Sequence, residues 1–333
     1  MDQAELHSVV DRYFPGCGCA LHRVSSGHIC EVYRVDVSGR QFVLRVRPEV
    51  FCRRHVEADH SLLRYLSDCG FPAPSAVSTP AGDSCVPTPD GRLCELLDYL
   101  PHNSTLSAAD APPMWAAVAS TLGRLHRLTR QYPRVIVKPD YVGRIPISPR
   151  SKYFSGPLDF GVPRYERGSD ADTLATVRNL KTRLLDLHQV LPSLDRSPQV
   201  VNHNDFYPDN FLTAGDELVG VVDFDFCLTG SHLIDLTEGL HSVMIHSSRA
   251  ASFWGLDPSR GIDWRAGAEF LRIYEEESGL TPTRSLLLSM LEVKVISLVF
   301  YPGFILTDSV SERLETLRRA ETIAAELAGG SLS

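Results

Sequence analysis

Along the first hundred residues, apolar and polar positions alternate. "CEVYRVDV" (Cys30 to Val37) and "QFVLRV" (Gln41 to Val46) each place every second side chain on one apolar face, and "SGR" between them supplies a turn. That pattern predicts a β-hairpin whose second strand ends at Pro48. Ahead of it, Ala4 to Phe14 has the spacing of a short amphipathic helix. Behind it, Val56, Leu63 and Leu66 form a helical stripe that Asp59 and His60 interrupt where apolar residues would be expected, with Gly70 as a C-cap. Residues 71–92 are rich in Pro, Gly and Ser and predict short strands and turns, and "RLCELLDYL" is the next strand, ending at Pro101.

After about residue 103 the periodicity becomes helical. In "MWAAVASTLGRLHRLTR", Trp115, Val118, Leu122, Leu125 and Leu128 share one side. Residues 131–168 lack a clear period and read as a long irregular excursion. Further helices are predicted near residues 173–189, 231–246, 263–278, 283–300 and 309–328, and three short apolar runs, "QVVNH", "FLT" and "LVGVVDFDF", read as strands. Strands first and helices afterwards predict an α+β fold in two parts, a strand-rich 1–98 and a mainly helical 99–333.

Composition narrows the function classes. The 333 residues carry a formal charge of −8, which argues against non-specific nucleic-acid binding and is compatible with a cationic small substrate. "MDQAELHSVV" has neither a basic start nor an apolar core, so no export signal is expected. The eight cysteines include no C-x-x-C pair, and reduced thiols in the cytoplasm are the expectation. The most apolar run, "SLLLSMLEVKVISLVF", holds Glu292 and Lys294 and predicts a buried helix, not a membrane span. Lysine is scarce: Lys138, Lys152, Lys181 and Lys294 only, so the strand-rich part must use arginine wherever it needs a cation.

The chemistry concentrates in "VNHNDFYPDNFLTAGDELVGVVDFDFC", residues 201–227. Carboxylates repel one another and resist burial, so Asp205, Asp209, Asp223 and Asp225 in one stretch call for a cation or a mobile proton. Pro208 delays any helix after Asp205, and the strand–turn–strand that follows would bring Asp205, Asn210 and Asp223 to one end of a hairpin. Two Asp and one Asn form an oxygen-donor set suited to Mg²⁺ shared with phosphates. H-x-D-x-x-x-x-N followed by an Asp is the spacing of kinase catalytic loops, in which the first Asp takes the acceptor's proton and the Asn and second Asp hold metal. Asp209 reads as an Asx turn, and Asp225 as either a solvated strand-end acid or an extra metal or substrate contact.

"HNDFYPDN" and "GVVDFDFCLTGSHLIDL" resemble the aminoglycoside phosphotransferase and choline kinase group of kinase-like enzymes. The resemblance implies a bilobal protein-kinase-like fold that binds ATP or GTP with Mg²⁺ and phosphorylates a small-molecule hydroxyl. By the same resemblance Asp205 is the base, Asn210 and Asp223 are metal ligands, and His203 and Asp235 support the loop. "VSSGHICEVYRV" stands where the nucleotide-covering loop falls, with Ser26 and Gly27 toward the phosphates. Arg45 takes the place of the phosphate-gripping lysine, with Arg47 as its rival and Glu57 as its helix partner, and the backbone from Glu95 to Leu97 would face the base. Acids of the helical part, Glu238 and Glu275 to Glu277, could serve a cationic acceptor. Aminoglycoside, amino sugar, amino alcohol and hydroxy amino acid all stay open. A nucleotide-binding pseudokinase is the alternative, and a metal-dependent hydrolase using His203, Asp205 and Asp223 a more distant one. The oligomeric state is open.

Overall fold

The computed structural model describes residues 1–24, 30–106, 112–142, 145–167, 169–245, 261–300 and 310–332. The chain divides into two compact units. The first holds Met1–Ser104 together with Phe211–Gly215 and Val219–Asp225; the second holds the remainder. The second unit is therefore not the unbroken 99–333 that the sequence suggests, because the end of the acid-rich stretch returns to the strand-rich unit.

The first unit opens with α1 (Gln3–Tyr13), which Asp2 and Glu5 start with a reciprocal capping box. A mixed-length antiparallel sheet follows, with β1 (Cys19–Arg23), β2 (Glu31–Val37) and β3 (Arg40–Arg47). After α2 (Arg53–Asp68), β4 (Ala76–Val77), β5 (Val86–Pro87) and β6 (Leu93–Asp98) complete it in the order β1-β2-β3-β6-β4, with β5 also on β6. A short strand, β7 (Ser104–Thr105), comes next.

Strand alternation decides what each face of this sheet does. Tyr33, Val35, Val37, Phe42, Leu44 and Val46 point one way and pack on Leu6, Val9, Val10 and Tyr13 of α1. Arg45 and Arg47 necessarily point the other way. Arg45 lies directly opposite Glu95 across the β3–β6 pair, so the second face carries charge from the start.

The second unit is mainly helical. It contains α3 (Trp115–Thr129), a small hairpin β8 (Tyr141–Val142) and β9 (Ile145–Pro146), and α4 (Val162–Glu166). The stretch before α4, which shows no period in sequence, is not a loop: Ser151–Ser155 and Pro157–Gly161 are wound as π-helix. A wide i→i+5 turn does not repeat side chains at 3.6, which hides it from a period search. Then come α5 (Ala171–Leu187), α6 (Leu191–Asp195) and β10 (Gln199–Asn202); β11 (Phe211–Ala214) and most of β12 (Glu217–Val221) belong to the first unit, and β13 (Leu228–Ser231) resumes the second. The last helices are α7 (Leu233–Met244), α8 (Trp264–Ser278), α9 (Arg284–Val299) and α10 (Val310–Gly329).

Every residue of α7 is buried, so it is the central helix and has no solvent face. Its acids, Asp235 and Glu238, are three apart and therefore share one side, a spacing that governs the site below. Gly123 lets α3 lie close on α8: a Cβ there would stand 2.6 Å from Glu277 Cβ and 3.0 Å from the Tyr274 carbonyl. No helix among the described residues is long and apolar enough to cross a membrane.

Candidate active site

In the helical unit, β10 runs antiparallel to β13 and delivers the chain to His203, Asn204 and Asp205. Asp235 of α7 fixes this exit. Its Oδ2 accepts from the His203 backbone N–H at 2.6 Å and its Oδ1 from that of Asn204 at 2.7 Å. His126 of α3 completes the set: Nε2–H donates to Asp235 Oδ2 at 3.4 Å, and the Tyr274 hydroxyl donates to Nδ1 at 2.8 Å. Asp235 and His126 are both fully buried. The His203 ring is buried too and meets Phe206 edge-on, 6.0 Å between centroids.

Asn204 adopts a left-handed backbone, φ +64°, which costs of order 1–3 kcal/mol away from glycine and persists only where the surroundings enforce it. The enforcement is visible. Its side chain donates to the carbonyls of Ile147 (2.7 Å) and Phe226 (3.3 Å), and its own carbonyl accepts from Lys152 Nζ at 2.7 Å. The result aims Asp205, which stays half-buried, away from the strand. A 3₁₀ turn, Pro208–Asn210, then brings Asn210 back so that its Nδ2 donates to the Asp205 carbonyl at 2.8 Å and to the Asp205 carboxylate at 3.1 Å. With its nitrogen so committed, Asn210 has its amide oxygen left as a hard donor.

Beside this loop lies a buried ionic cluster. Glu238, one turn beyond Asp235, receives Lys152 (2.9 Å) and the Tyr153 hydroxyl (2.6 Å) on Oε1, and Lys294 (2.7 Å) on Oε2. Lys294 also bonds the Tyr207 hydroxyl. Burial would raise the Glu238 pKa, but the two ammonium groups hold it well below the usual carboxylate range. Burial pulls Lys294 down to about 8, against the charge of Glu238.

In the strand-rich unit, Arg45 meets three carboxylates. Nη1 and Nη2 grip the two Asp225 oxygens at 2.6 Å each, Nη2 also reaches Asp223 at 2.9 Å, and Nη1 reaches Glu95 at 3.0 Å. Arg47, only 2% exposed, pairs with Glu95 (2.7 Å), Asp225 (2.9 Å) and Asp59 of α2 (3.1 Å). His60 of α2 adds a 2.6 Å contact to Glu95. Burial alone would lower both arginine pKa values, yet the acids, Asp225 foremost, raise them well above normal. Glu95 is held far below its ordinary value against burial by Arg47, His60 and Arg45. Two guanidinium groups thus face four carboxylates, and the surplus negative charge ends at Asp223, the one whose side chain is 39% exposed. Asp223 also has a left-handed backbone, φ +67°.

Several expectations need correction. Glu57 is not the partner of Arg45: it is exposed, and α2 instead turns Asp59 and His60 inward. Their break in the apolar stripe was the signal, because a buried Arg47 demands polar partners. Arg47 is sealed among acids and is no rival for phosphate. Glu95 is a core counter-ion, and the Leu97 backbone is paired on both edges, to Val43 and to Ala76, so neither is placed to face a base; the chain leaves the sheet only after Asp98. Asp225 is neither solvated nor spare but a buried counter-ion. Glu275, Glu276 and Glu277 pair with Arg284, Arg272 and Arg127 near the surface and build no cationic pocket. Ser26 and Gly27 lie outside the described residues. Among the described residues no three His, Cys, Asp or Glu form a metal-holding group.

A loop of this construction, on a fold of strands followed by helices, belongs with enzymes that transfer phosphoryl groups. The model of the phosphotransferase enzyme family matches residues 20–274, and the chain is a member of that family. Solved structures share its protein-kinase-like fold. The aminoglycoside phosphotransferase of Alicyclobacillus acidocaldarius is 16% identical and aligns over 99% of this chain and 96% of its own, with a TM-score of 0.63. A microcompartment-associated aminopropanol kinase is 15% identical over 98% and 97%, TM-score 0.69. An amicoumacin kinase in complex with AMP-PNP, Ca²⁺ and Ami is 19% identical over 98% and 94%, TM-score 0.66. No curated protein sequence matches.

Proposed function

We propose that the protein transfers the γ-phosphoryl group of ATP or GTP to a hydroxyl of a small molecule, with Asp205 as the base. The observation that carries this is the state of Asp205: half-buried, steadied by the Asn210 amide, on a loop whose two preceding N–H groups are locked by Asp235. Asp205 orients the acceptor hydroxyl and takes its proton as the new O–P bond forms. The bond from the γ-phosphorus to the bridging oxygen breaks, and the nucleoside diphosphate leaves with that electron pair.

Asn210 and Asp223 are the residues that would hold Mg²⁺. Both offer oxygen, and the surplus negative charge that ends at Asp223 is what a divalent cation offsets. When bound, the ion supplies charge neutralisation to the phosphates. Arg45, already tied to Asp223, holds that carboxylate in place and adds positive charge on the nucleotide side. The amicoumacin kinase complex, with a nucleotide analogue and a divalent cation, supports the cofactor assignment.

The test is incubation with Mg-ATP or Mg-GTP and a broad set of hydroxyl compounds, with mass spectrometry reading a gained phosphoryl group. Transfer by the parent chain supports the reading. The engagement of Arg45 by three carboxylates favours a second reading, a nucleotide-binding protein without transfer. Tight Mg-nucleotide binding with no acceptor modified would select it.

A further inference from the structure

Two of the four lysines converge on one carboxylate beside the proposed base. Lys152, on the π-helical stretch, and Lys294, inside α9, both contact Glu238, so two ammonium groups share one buried carboxylate, and Asp205 is the next acid they meet. Lys152 is a peptide unit away from Asp205, because its Nζ donates to the Asn204 carbonyl. Asp205 is among the charges that hold up the Lys152 pKa after burial and Glu238 have acted. Both Glu238 oxygens are already taken, and Asp235 is spent on backbone N–H groups and His126. An ammonium has three N–H donors, and Lys152 spends two, on Asn204 and Glu238. Its side chain is the more exposed of the pair, 15% against 3% for Lys294.

We propose that the acceptor is an anionic hydroxyl compound, and that Lys152 recognises a carboxylate or phosphate lying beside the hydroxyl that Asp205 engages. The inference rests on the phosphotransfer reading of Asp205. Asp205 is committed to the reacting hydroxyl, and next to it the wall presents an ammonium with a donor to give. An anion there fills the third donor with a charge-assisted hydrogen bond. Lys294 and Tyr153 keep Glu238, and through it Lys152, in one position.

The experiment uses the full chain with Mg-ATP and three acceptor arms: short hydroxy acids, sugar phosphates, and amino alcohols with aminoglycosides. Expected is transfer to an anionic arm, the carboxylate and phosphate arms telling the two anions apart. A charged hydrogen bond lost in Lys152→Met corresponds to a rise in acceptor KM of roughly 10–100-fold. The nucleotide KM should hold, and Lys152→Arg should recover part of the loss. Transfer confined to the cationic arm overturns the inference and leaves phosphotransfer standing, as does an unchanged acceptor KM in Lys152→Met. Because the parent chain alone decides between arms, a variant that fails to fold does not shield the idea. Transfer to no arm overturns both readings.

Discussion

Asp235→Asn tests the support of the catalytic loop, and its size follows from the bonds counted at that carboxylate. Each oxygen accepts a backbone N–H, at 2.6 and 2.7 Å, in a site with no solvent exposure. An amide has one oxygen, so in either orientation its NH₂ group faces a backbone donor. One buried N–H is then unsatisfied, at about 1–3 kcal/mol, and the surviving bond loses its charge assistance, about 1 kcal/mol more. The expected loss is about 2–4 kcal/mol, a large part of the 5–15 kcal/mol that folded domains usually have. Equilibrium urea unfolding followed by tryptophan fluorescence and circular dichroism measures it. The same change frees Asn204 from its left-handed φ of +64°, so turnover should fall along with stability. An unfolding curve that overlays the parent's would refute the reasoning, since it would mean that the two N–H groups find other partners at no cost.

Removing Arg47 should be worse than removing any surface charge. Arg47→Met leaves Asp59, Glu95 and Asp225 short of a buried counter-ion and should cost about 3–5 kcal/mol in urea melts, whereas Glu57→Ala, on the exposed side of the same helix, should stay within about 0.5 kcal/mol. Acid should destabilise the fold through Glu95 and Glu238. Both are held below their ordinary 4.5, so below that pH the unfolded chain binds more protons and stability falls as pH falls; a melting temperature flat from pH 6 to pH 3 would contradict this. Lys294 acts at the other end. With a folded value of about 8 against 10.5, it binds fewer protons folded than unfolded in that window, so its contribution to stability rises with pH there, and the rise should vanish in Lys294→Met.

Much of the fold is written in local pattern. The alternation around Arg45 and Arg47 marked β2 and β3, and the same alternation required both arginines on the face opposite Val46. The H-x-D-x-x-x-x-N spacing marked Asp205 and Asn210, which the helical unit joins through the Asn210 amide. Pairing across a sheet or between helices was less legible. Asp59 and Glu57 are two residues apart on α2, and only the position of Arg47 says which acid turns inward. Glu95 reads as base-facing from its place toward the end of its strand, and its burial between two arginines depends on register. The Lys152–Glu238–Lys294 cluster joins three distant segments. Its one local sign was a lysine inside the apolar run of α9, whose near neighbour Glu292 is matched by Arg183 of α5.

The central claim, that Asp205 is the base of a phosphoryl transfer, is tested most directly by comparing the parent with Asp205→Asn in a single-turnover assay. Mg-nucleotide affinity, read by calorimetry on the same preparations, separates chemistry from binding. The account predicts unchanged nucleotide affinity and a transfer rate lower by on the order of 10²–10⁴. A variant that transfers phosphate as fast as the parent would contradict it.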